Sequence, residues 1–250
     1  MPVLINGQPS HMIPVNDRGL SYGDGVFETI LILNGKAILP DLHLARLNRG
    51  LDTLSISLEE SLLTNEYLTL IRDSGFPSGV LKIIITRGAG GRGYRSEKLS
   101  PTRILSYQAY ERPVYPDAGV KVFLCQQRLA EQASLAGLKH LNRLEQVLAS
   151  QEWPDESFQE GVMQSTSGAV IEGTKSNLFL SIGGQWLTPD LSLCGIDGVL
   201  RTHLLNLWQD QVEVRPVTLA ELQAAEECFL GNSVAGIMPV QALVTGKGTT

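Results

Sequence analysis

The sequence lacks several features that define protein classes. Its three cysteines, Cys125, Cys194 and Cys228, are scattered, which favours neither a disulfide scaffold nor a zinc site. No apolar run approaches the length of a membrane span, and the N-terminus shows no signal-peptide pattern, so we expect a soluble cytoplasmic protein. Acidic residues outnumber basic ones by 26 to 20, and the net charge of -6 argues against a nucleic-acid binder.

What is present is an ordinary globular composition, with 43% hydrophobic and 18% charged residues among 250. This length suits one large domain or two smaller ones. A polar stretch with Pro113 and Pro116 predicts a linker at residues 113–117, between an N-terminal domain at 1–112 and a C-terminal domain at 118–250.

The first half contains a strand with unusual polar residues. Asn6-Gly7 and Asn34-Gly35 predict hairpin turns, and Val26–Leu33 between them reads as an apolar strand interrupted by Glu28 and Thr29. A glutamate inside such a strand costs free energy unless it is paired or faces water. Pairing, a wet cavity and an exposed edge strand all remain open.

The next helix is predicted over residues 42–51 and carries basic residues on one face. His43, Arg46 and Arg49 follow one another at a spacing of three residues. Such a face can bind a phosphate, although it can equally be solvated.

A glycine-rich loop follows a buried-type strand at residues 80–86. Gly88, Gly90 and Gly93 match the dinucleotide-binding pattern, but that pattern requires a helix to begin at once, and the following residues are polar and end in a proline. We reject nucleotide binding. With Arg87, Arg92 and Tyr94, the loop is better suited to a small anionic ligand.

Lys139 is the most distinctive residue of the second half. It precedes apolar residues at helical spacing, which predict a helix to about Glu152. A lysine close to apolar side chains loses hydration, so its pKa falls and its amine becomes nucleophilic. The alternative is an ordinary exposed lysine.

Three further segments carry candidate site residues. Glu172 precedes a turn of small residues that contains Lys175, and residues 194–201 form a turn that opens a helix, whose N-terminal amides can bind an anion. A second polar turn contains Ser233.

Together and in this order, these pieces resemble the fold-type IV pyridoxal-phosphate enzymes, which include branched-chain and D-amino-acid aminotransferases and aminodeoxychorismate lyases. The matching pieces are residues 22–28, the His43/Arg46 helix, residues 86–88, Lys139, Glu172 with residues 177–179, residues 195–196, and the Ser233 turn. The resemblance implies an α/β (α+β) fold with a small N-terminal α/β domain and a larger, β-barrel-like C-terminal domain with flanking helices. It also implies a homodimer.

The resemblance assigns pyridoxal 5'-phosphate as the cofactor. Lys139 would form the Schiff base with it and then act as general base. Glu172 would pair with the pyridine nitrogen, and Asn177 would also bind the cofactor. Thr29 is a catalytic candidate for guiding a proton to the leaving group.

The remaining implied roles concern anions. Arg46, the Ile196 and Asp197 amides and the Ser233 hydroxyl would hold the cofactor phosphate. Arg92, Tyr94 and Glu28 would bind substrate, with Arg92 and Tyr94 facing a carboxylate.

Residues 87–94 and 138–146 look most like those of the aminodeoxychorismate lyases, which convert 4-amino-4-deoxychorismate to 4-aminobenzoate and pyruvate in folate synthesis. One alternative is an aminotransferase acting on D- or branched-chain amino acids, and another is a non-catalytic small-ligand binding protein on the same scaffold. Lys175 is a rival for the role of Lys139.

Overall fold

The computed structural model describes residues 2–96 and 99–246, together with the backbone of residues 248–249. The chain forms two compact units. Unit 1 comprises residues 1–111 and 138–142, and unit 2 comprises residues 112–137 and 143–250. Within the described part of the chain, no helix is both long enough and apolar enough to cross a membrane.

Unit 1 is an antiparallel sheet packed against helices. Its strands are β1 (Val3–Ile5), β2 (Gln8–Pro9), β3 (Gly25–Leu33), β4 (Lys36–Ala37), β5 (Gly79–Thr86) and β6 (Thr102–Ala109). Its helices are α1 (Arg18–Tyr22), α2 (Pro40–Thr53) and α3 (Glu60–Asp73). Among the described residues the strand order is β2-β1-β6-β5-β3-β4. The core joins Ile83 and Leu105 of the sheet to Leu47 of α2 and Leu63 of α3.

Both predicted hairpin turns are confirmed. Asn6 and Gly7 have φ angles of 51° and 77°, and Asn34 and Gly35 have 50° and 77°. A type I′ turn requires positive φ at both central residues, which asparagine tolerates and glycine adopts without strain.

Unit 2 is a larger mixed sheet with short helices. Its strands are β7 (Val120–Leu129), β8 (Phe158–Ser165), β9 (Val170–Gly173), β10 (Asn177–Ile182), β11 (Gln185–Pro189), β12 (Val212–Arg215), β13 (Glu227–Asn232), β14 (Gly236–Thr245) and β15 (Gly248–Thr249). Its helices are α4 (Leu144–Ala149), α5 (Val199–Trp208) and α6 (Leu219–Ala224). The pairing path β10-β13-β14-β7-β8-β9 returns to β10, because β9 pairs with both β8 and β10. This closure gives the barrel-like character that the sequence predicted.

The prediction of a long helix after Lys139 is wrong. Residues 138–142 run beside β3 as an extended segment, with Phe27 N–H donating to Lys139 O at 2.9 Å and Leu141 N–H donating to Gly25 O at 3.0 Å. Backbone groups used between segments in this way are not available for helical hydrogen bonds. In this segment only residues 144–149 are helical, and Leu144, the first residue of this helix, is 75% exposed.

Candidate active site

In unit 1, a buried carboxylate joins β3 to α2. Both oxygens of Glu28 accept hydrogen bonds from Arg46, Oε1 from Nε at 2.7 Å and Oε2 from Nη2 at 2.6 Å. His43 Nδ1 lies 2.7 Å from Oε2. Glu28 and His43 are at most 1% exposed, and Arg46 is 7% exposed.

These contacts determine the protonation state of Glu28. Burial by itself raises the pKa of this carboxyl, but hydrogen bonds from Arg46 and His43, together with electrostatic attraction to both, lower it from 4.5 to about 2. Of the three alternatives for Glu28, namely pairing, a wet cavity and an exposed edge strand, the structure therefore shows pairing.

The basic residues of α2 do not share one environment, since His43 and Arg46 are buried and Arg49 is exposed.

Thr29 and Glu28 face opposite sides of the unit 1 sheet, because side chains alternate along a strand. Glu28 points towards α2, whereas Thr29 shares the face of Phe27. The Phe27 ring lies 4.4 Å from Lys139 Nζ, and the Phe27 amide holds the Lys139 carbonyl. Within unit 1, the predicted catalytic residues Lys139 and Thr29 thus lie on one side of β3, and Glu28 and Arg46 lie on the other.

The glycine-rich loop carries Arg92 and Tyr94, and both side chains are exposed. Arg18 holds this loop by donating Nη1 to Gly93 O and Nη2 to Tyr94 O, each at 2.8 Å. The Tyr22 ring meets the Tyr94 ring edge-on, with centroids 5.5 Å apart. No helix begins among the described residues of this region, 87–96 and 99–101.

Arg87 does not serve as the anion ligand suggested by the sequence. Its Nε donates to Asp24 Oδ2 at 2.7 Å, and its Nη2 donates to Asp24 Oδ1 and to Leu54 O. Burial raises the pKa of Asp24, but hydrogen bonds and charge from Arg87 and Arg18 hold it below its ordinary value. The guanidinium of Arg87 therefore stabilises the fold through Asp24 and the Leu54 carbonyl.

In unit 2, the predicted residues Glu172, Asn177 and Ile196 form one hydrogen-bonded group. Glu172 is 3% exposed and accepts from Ile196 N–H at 2.8 Å. Asn177 Nδ2 lies 3.4 Å from the same carboxylate oxygen and donates to Ile196 O at 2.8 Å. The Asn177 side chain therefore holds both the acid and the loop that leads into α5.

The amides predicted to bind phosphate have other partners. Ile196 N–H donates to Glu172, and Asp197 N–H donates to Gly137 O at 3.1 Å. Helix α5 begins three residues after Ile196, at Val199, and its N-cap Gly198 makes no side-chain capping bond. The first amides of a helix have no intrahelical acceptor, so the anion-binding position is shifted to Val199 and Leu200.

Ser233 lies in a turn organised by Asn232. Asn232 Oδ1 accepts from the amides of Val234 at 3.0 Å and Ala235 at 2.8 Å. Its Nδ2 donates to Lys175 O at 3.2 Å, whereas the Lys175 side chain is exposed. Lys139, by contrast, is partly buried.

Arg18, which holds the glycine-rich loop, was not among the predicted residues. It begins a short helix, which Asp17 caps by accepting from Gly19 N–H at 2.8 Å. An aspartate before a helix is a usable capping signal. The helix that residues 194–201 were predicted to open is confirmed as α5, which begins at Val199 after the N-cap Gly198.

The family model of class IV aminotransferases matches residues 25–243, so the chain belongs to that family. This confirms the resemblance found in the sequence.

More specific similarities point within the family. The chain is 46% identical to the 4-amino-4-deoxychorismate lyase from Pseudomonas aeruginosa, whose crystal structure matches with a TM-score of 0.90 over 96% of this chain and 91% of that chain. It is 34% identical over 248 residues to an aminodeoxychorismate lyase of Vibrio harveyi, covering 96% of this chain and 90% of the relative. A D-alanine aminotransferase of Bacillus licheniformis is 28% identical over 258 residues, covering 97% of this chain and 88% of the relative.

Proposed function

We propose that this protein is a pyridoxal-phosphate-dependent lyase that converts 4-amino-4-deoxychorismate to 4-aminobenzoate and pyruvate, as in folate synthesis. The observation that carries the proposal is the buried Glu172, held by Asn177 and Ile196 next to the chain segment that opens α5. The higher identity to lyases than to the aminotransferase favours lyase chemistry within the family.

The residues fit a phosphorylated pyridine cofactor. The uncapped N-terminus of α5 provides the Val199 and Leu200 amides for the phosphate, and the Ser233 hydroxyl and Arg46 are further donors. The amides of Ile196 and Asp197 donate to Glu172 and Gly137, so they do not bind the phosphate themselves. These two residues instead belong to the loop that leads into the N-terminus of α5.

Glu172 would pair with the pyridine nitrogen of the bound cofactor and keep it protonated. When bound, the cofactor supplies an electron sink for the carbanion formed on the substrate. Because amide donors hold it, the buried Glu172 carboxylate keeps a fixed orientation. Asn177 positions that carboxylate.

Lys139 would hold the cofactor, and its amine, when free, would accept the ring proton of the substrate. Its partly buried position against Phe27 favours it over the exposed Lys175. Thr29, on the same face of β3 as Phe27, guides a proton to the departing enolpyruvyl group.

Arg92 and Tyr94 bind a substrate carboxylate from the loop that Arg18 holds. Glu28 supports Arg46 instead of touching substrate, because Arg46 and His43 occupy its oxygens.

The remaining parts of the proposal are a homodimer, a cytoplasmic location, and domains at 1–112 and 118–250 joined by residues 113–117. They are supported by the family resemblance and, for the domains, by the prolines of the linker.

The test begins with the visible absorption spectrum of the purified protein, followed by borohydride reduction and peptide mapping. We expect a pyridoxyl adduct on Lys139 and formation of 4-aminobenzoate and pyruvate without an added keto acid. An adduct on Lys175 would transfer the covalent role. Turnover that requires a keto acid and leaves pyridoxamine phosphate would favour an aminotransferase, and no chromophore after added cofactor would favour a binding protein.

A further inference from the structure

The turn between β9 and β10 separates Glu172 from Asn177, and a second buried carboxylate, that of Glu160, holds this turn. We propose that Glu160 is a positioning residue that fixes this turn and, through it, both Glu172 and the Ser233 turn. The inference rests on the proposed function, because it concerns how the cofactor-binding groups are kept in place.

Glu160 lies on β8 and is fully buried, with 0% exposure. Its Oε1 accepts from Gly161 N–H at 3.0 Å, from Thr174 N–H at 3.1 Å and from the Thr174 hydroxyl. Its Oε2 accepts from the Ser176 hydroxyl at 2.7 Å. Three of these four donors belong to the β9–β10 turn. In a turn at the surface, water would accept these hydrogen bonds; here the Glu160 carboxylate accepts them.

The turn is built to admit this carboxylate. A Cβ atom at Gly173 would lie 2.5 Å from Ser176 Oγ and 3.0 Å from Glu160 Cδ, which is too close for either group to stay in place. Gly173 is therefore required for the carboxylate and the hydroxyl to meet.

The first consequence concerns Glu172. The turn begins directly after Gly173, and Glu172 pairs in register with Asn177 across it. Gly173 N–H donates to Ser176 O at 2.7 Å, which closes the turn. Because β9 has four residues, a displaced turn moves the Glu172 carboxylate and the Asn177 amide together.

The second consequence concerns the phosphate side. The carbonyl of Lys175, at the tip of the same turn, accepts from Asn232, whose side chain also organises the turn that contains Ser233. Removing Glu160 should therefore disturb both Glu172 and the Ser233 turn. Removing the Asn232 side chain frees the Lys175 carbonyl and the Ser233 turn but keeps the Glu160 bonds that hold Glu172 in place.

The donors to Glu160 are neutral, so its negative charge is not needed for this role. In Glu160→Gln, the amide carbonyl can keep the three bonds of Oε1, and the amide N–H₂ can donate to Ser176 Oγ, which also accepts. In Glu160→Ala, the Gly161 and Thr174 amides each lose one acceptor, the two hydroxyls lose theirs, and a cavity is left.

The experiment compares Glu160→Gln, Glu160→Ala and Asn232→Ala by three measurements. Amide hydrogen exchange of residues 173–177 is followed in the cofactor-free chain, pyridoxal phosphate affinity is titrated, and the pH dependence of the bound-cofactor absorption band reports on Glu172. Glu226→Ala is the matched control, since Glu226 accepts from Gly184 N–H at the opposite end of β10 and is exposed.

We expect Glu160→Ala to speed exchange in the turn, to weaken cofactor affinity roughly tenfold, as loss of a buried hydrogen-bonding group implies, and to alter the absorption pH profile. Glu160→Gln should restore all three properties. Asn232→Ala should weaken affinity with an unchanged pH profile, and Glu226→Ala should resemble the unmodified protein.

Unchanged exchange and affinity in Glu160→Ala would overturn the proposal, and so would equal damage in Glu160→Gln, which would mean that the charge matters. If Glu160→Ala does not fold, Ser176→Ala removes one donor and should give the same changes at smaller size; no change there would also contradict the role. If the unmodified protein binds no cofactor, the proposed function fails, but hydrogen exchange still tests Glu160.

Discussion

Glu28 in unit 1 and Glu160 in unit 2 are both buried carboxylates, but they are stabilised by different means. Glu28 contacts a guanidinium through both oxygens and a histidine through one. Glu160 is held by two backbone amides and two hydroxyls. Burying a carboxylate costs free energy. Unit 1 offsets this cost with opposite charge, and unit 2 offsets it with hydrogen bonds from neutral donors.

The difference predicts opposite responses to the same substitution. An ion pair that loses one charge leaves the other buried and uncompensated. A carboxylate that accepts only from neutral donors can be replaced by an amide, provided that one donor can reverse its role. Glutamate to glutamine substitutions in the two units therefore measure how each site depends on charge.

The largest effect is expected from Glu28→Gln. At pH 7 it should lower the free energy of unfolding by about 3 kcal/mol, because the Arg46 charge stays buried without its partner. Urea denaturation followed by circular dichroism measures this. The double variant Glu28→Leu, Arg46→Met removes both charges and should be less damaging than Glu28→Gln alone; equal damage would show that charge pairing is not the main contribution.

The same comparison should depend on pH. The pKa of Glu28 is lowered from 4.5 to about 2 in the folded protein, so its stabilisation is present above about pH 4.5 and is lost as the pH falls through about 2. The stability difference between the unmodified protein and Glu28→Gln should shrink over that range. A difference that stays constant down to pH 2 would contradict the ion-pair assignment.

Arg46→Lys should have an intermediate effect, about 1–2 kcal/mol, because lysine keeps the charge but cannot make the two parallel contacts with Glu28. We also expect weaker cofactor binding, measured by titration with pyridoxal phosphate. Arg49→Lys, at an exposed position on the same helix, is the matched control and should leave both properties unchanged.

Glu160→Gln should have the smallest effect on stability, less than about 1 kcal/mol, since its hydrogen bonds can be kept. Thermal denaturation of this variant beside Glu28→Gln gives the comparison directly. Similar losses in the two variants would mean that unit 2 also relies on the charge of its carboxylate.

Much of the fold was predictable because the signals act over a few residues. The Asn-Gly pairs predicted both hairpins, and the β-branched runs predicted the strands that became β3 and β5. The family motifs also predicted which residue types matter. Their partners were less accessible, because Glu28 and Arg46 are 18 residues apart and meet only when α2 packs on β3.

The errors share one physical origin, competition between local pattern and long-range pairing. The apolar residues after Lys139 have helical spacing, yet the backbone of residues 138–142 pairs with β3. The amides of Ile196 and Asp197 precede a helix as predicted, but Glu172 and Gly137 accept from them, so the amides left for an anion are those of Val199 and Leu200.

By itself, the sequence determined the hairpin turns, most strands, the family and the residue types of the site, since these depend on local geometry and on motif order. Only the tertiary structure decided which charge pairs with Glu28, which face of β3 holds Lys139, and how Glu160 holds the turn after Glu172. The reason is that a buried polar group is stabilised by whatever donors packing brings to it, and those donors come from distant parts of the chain.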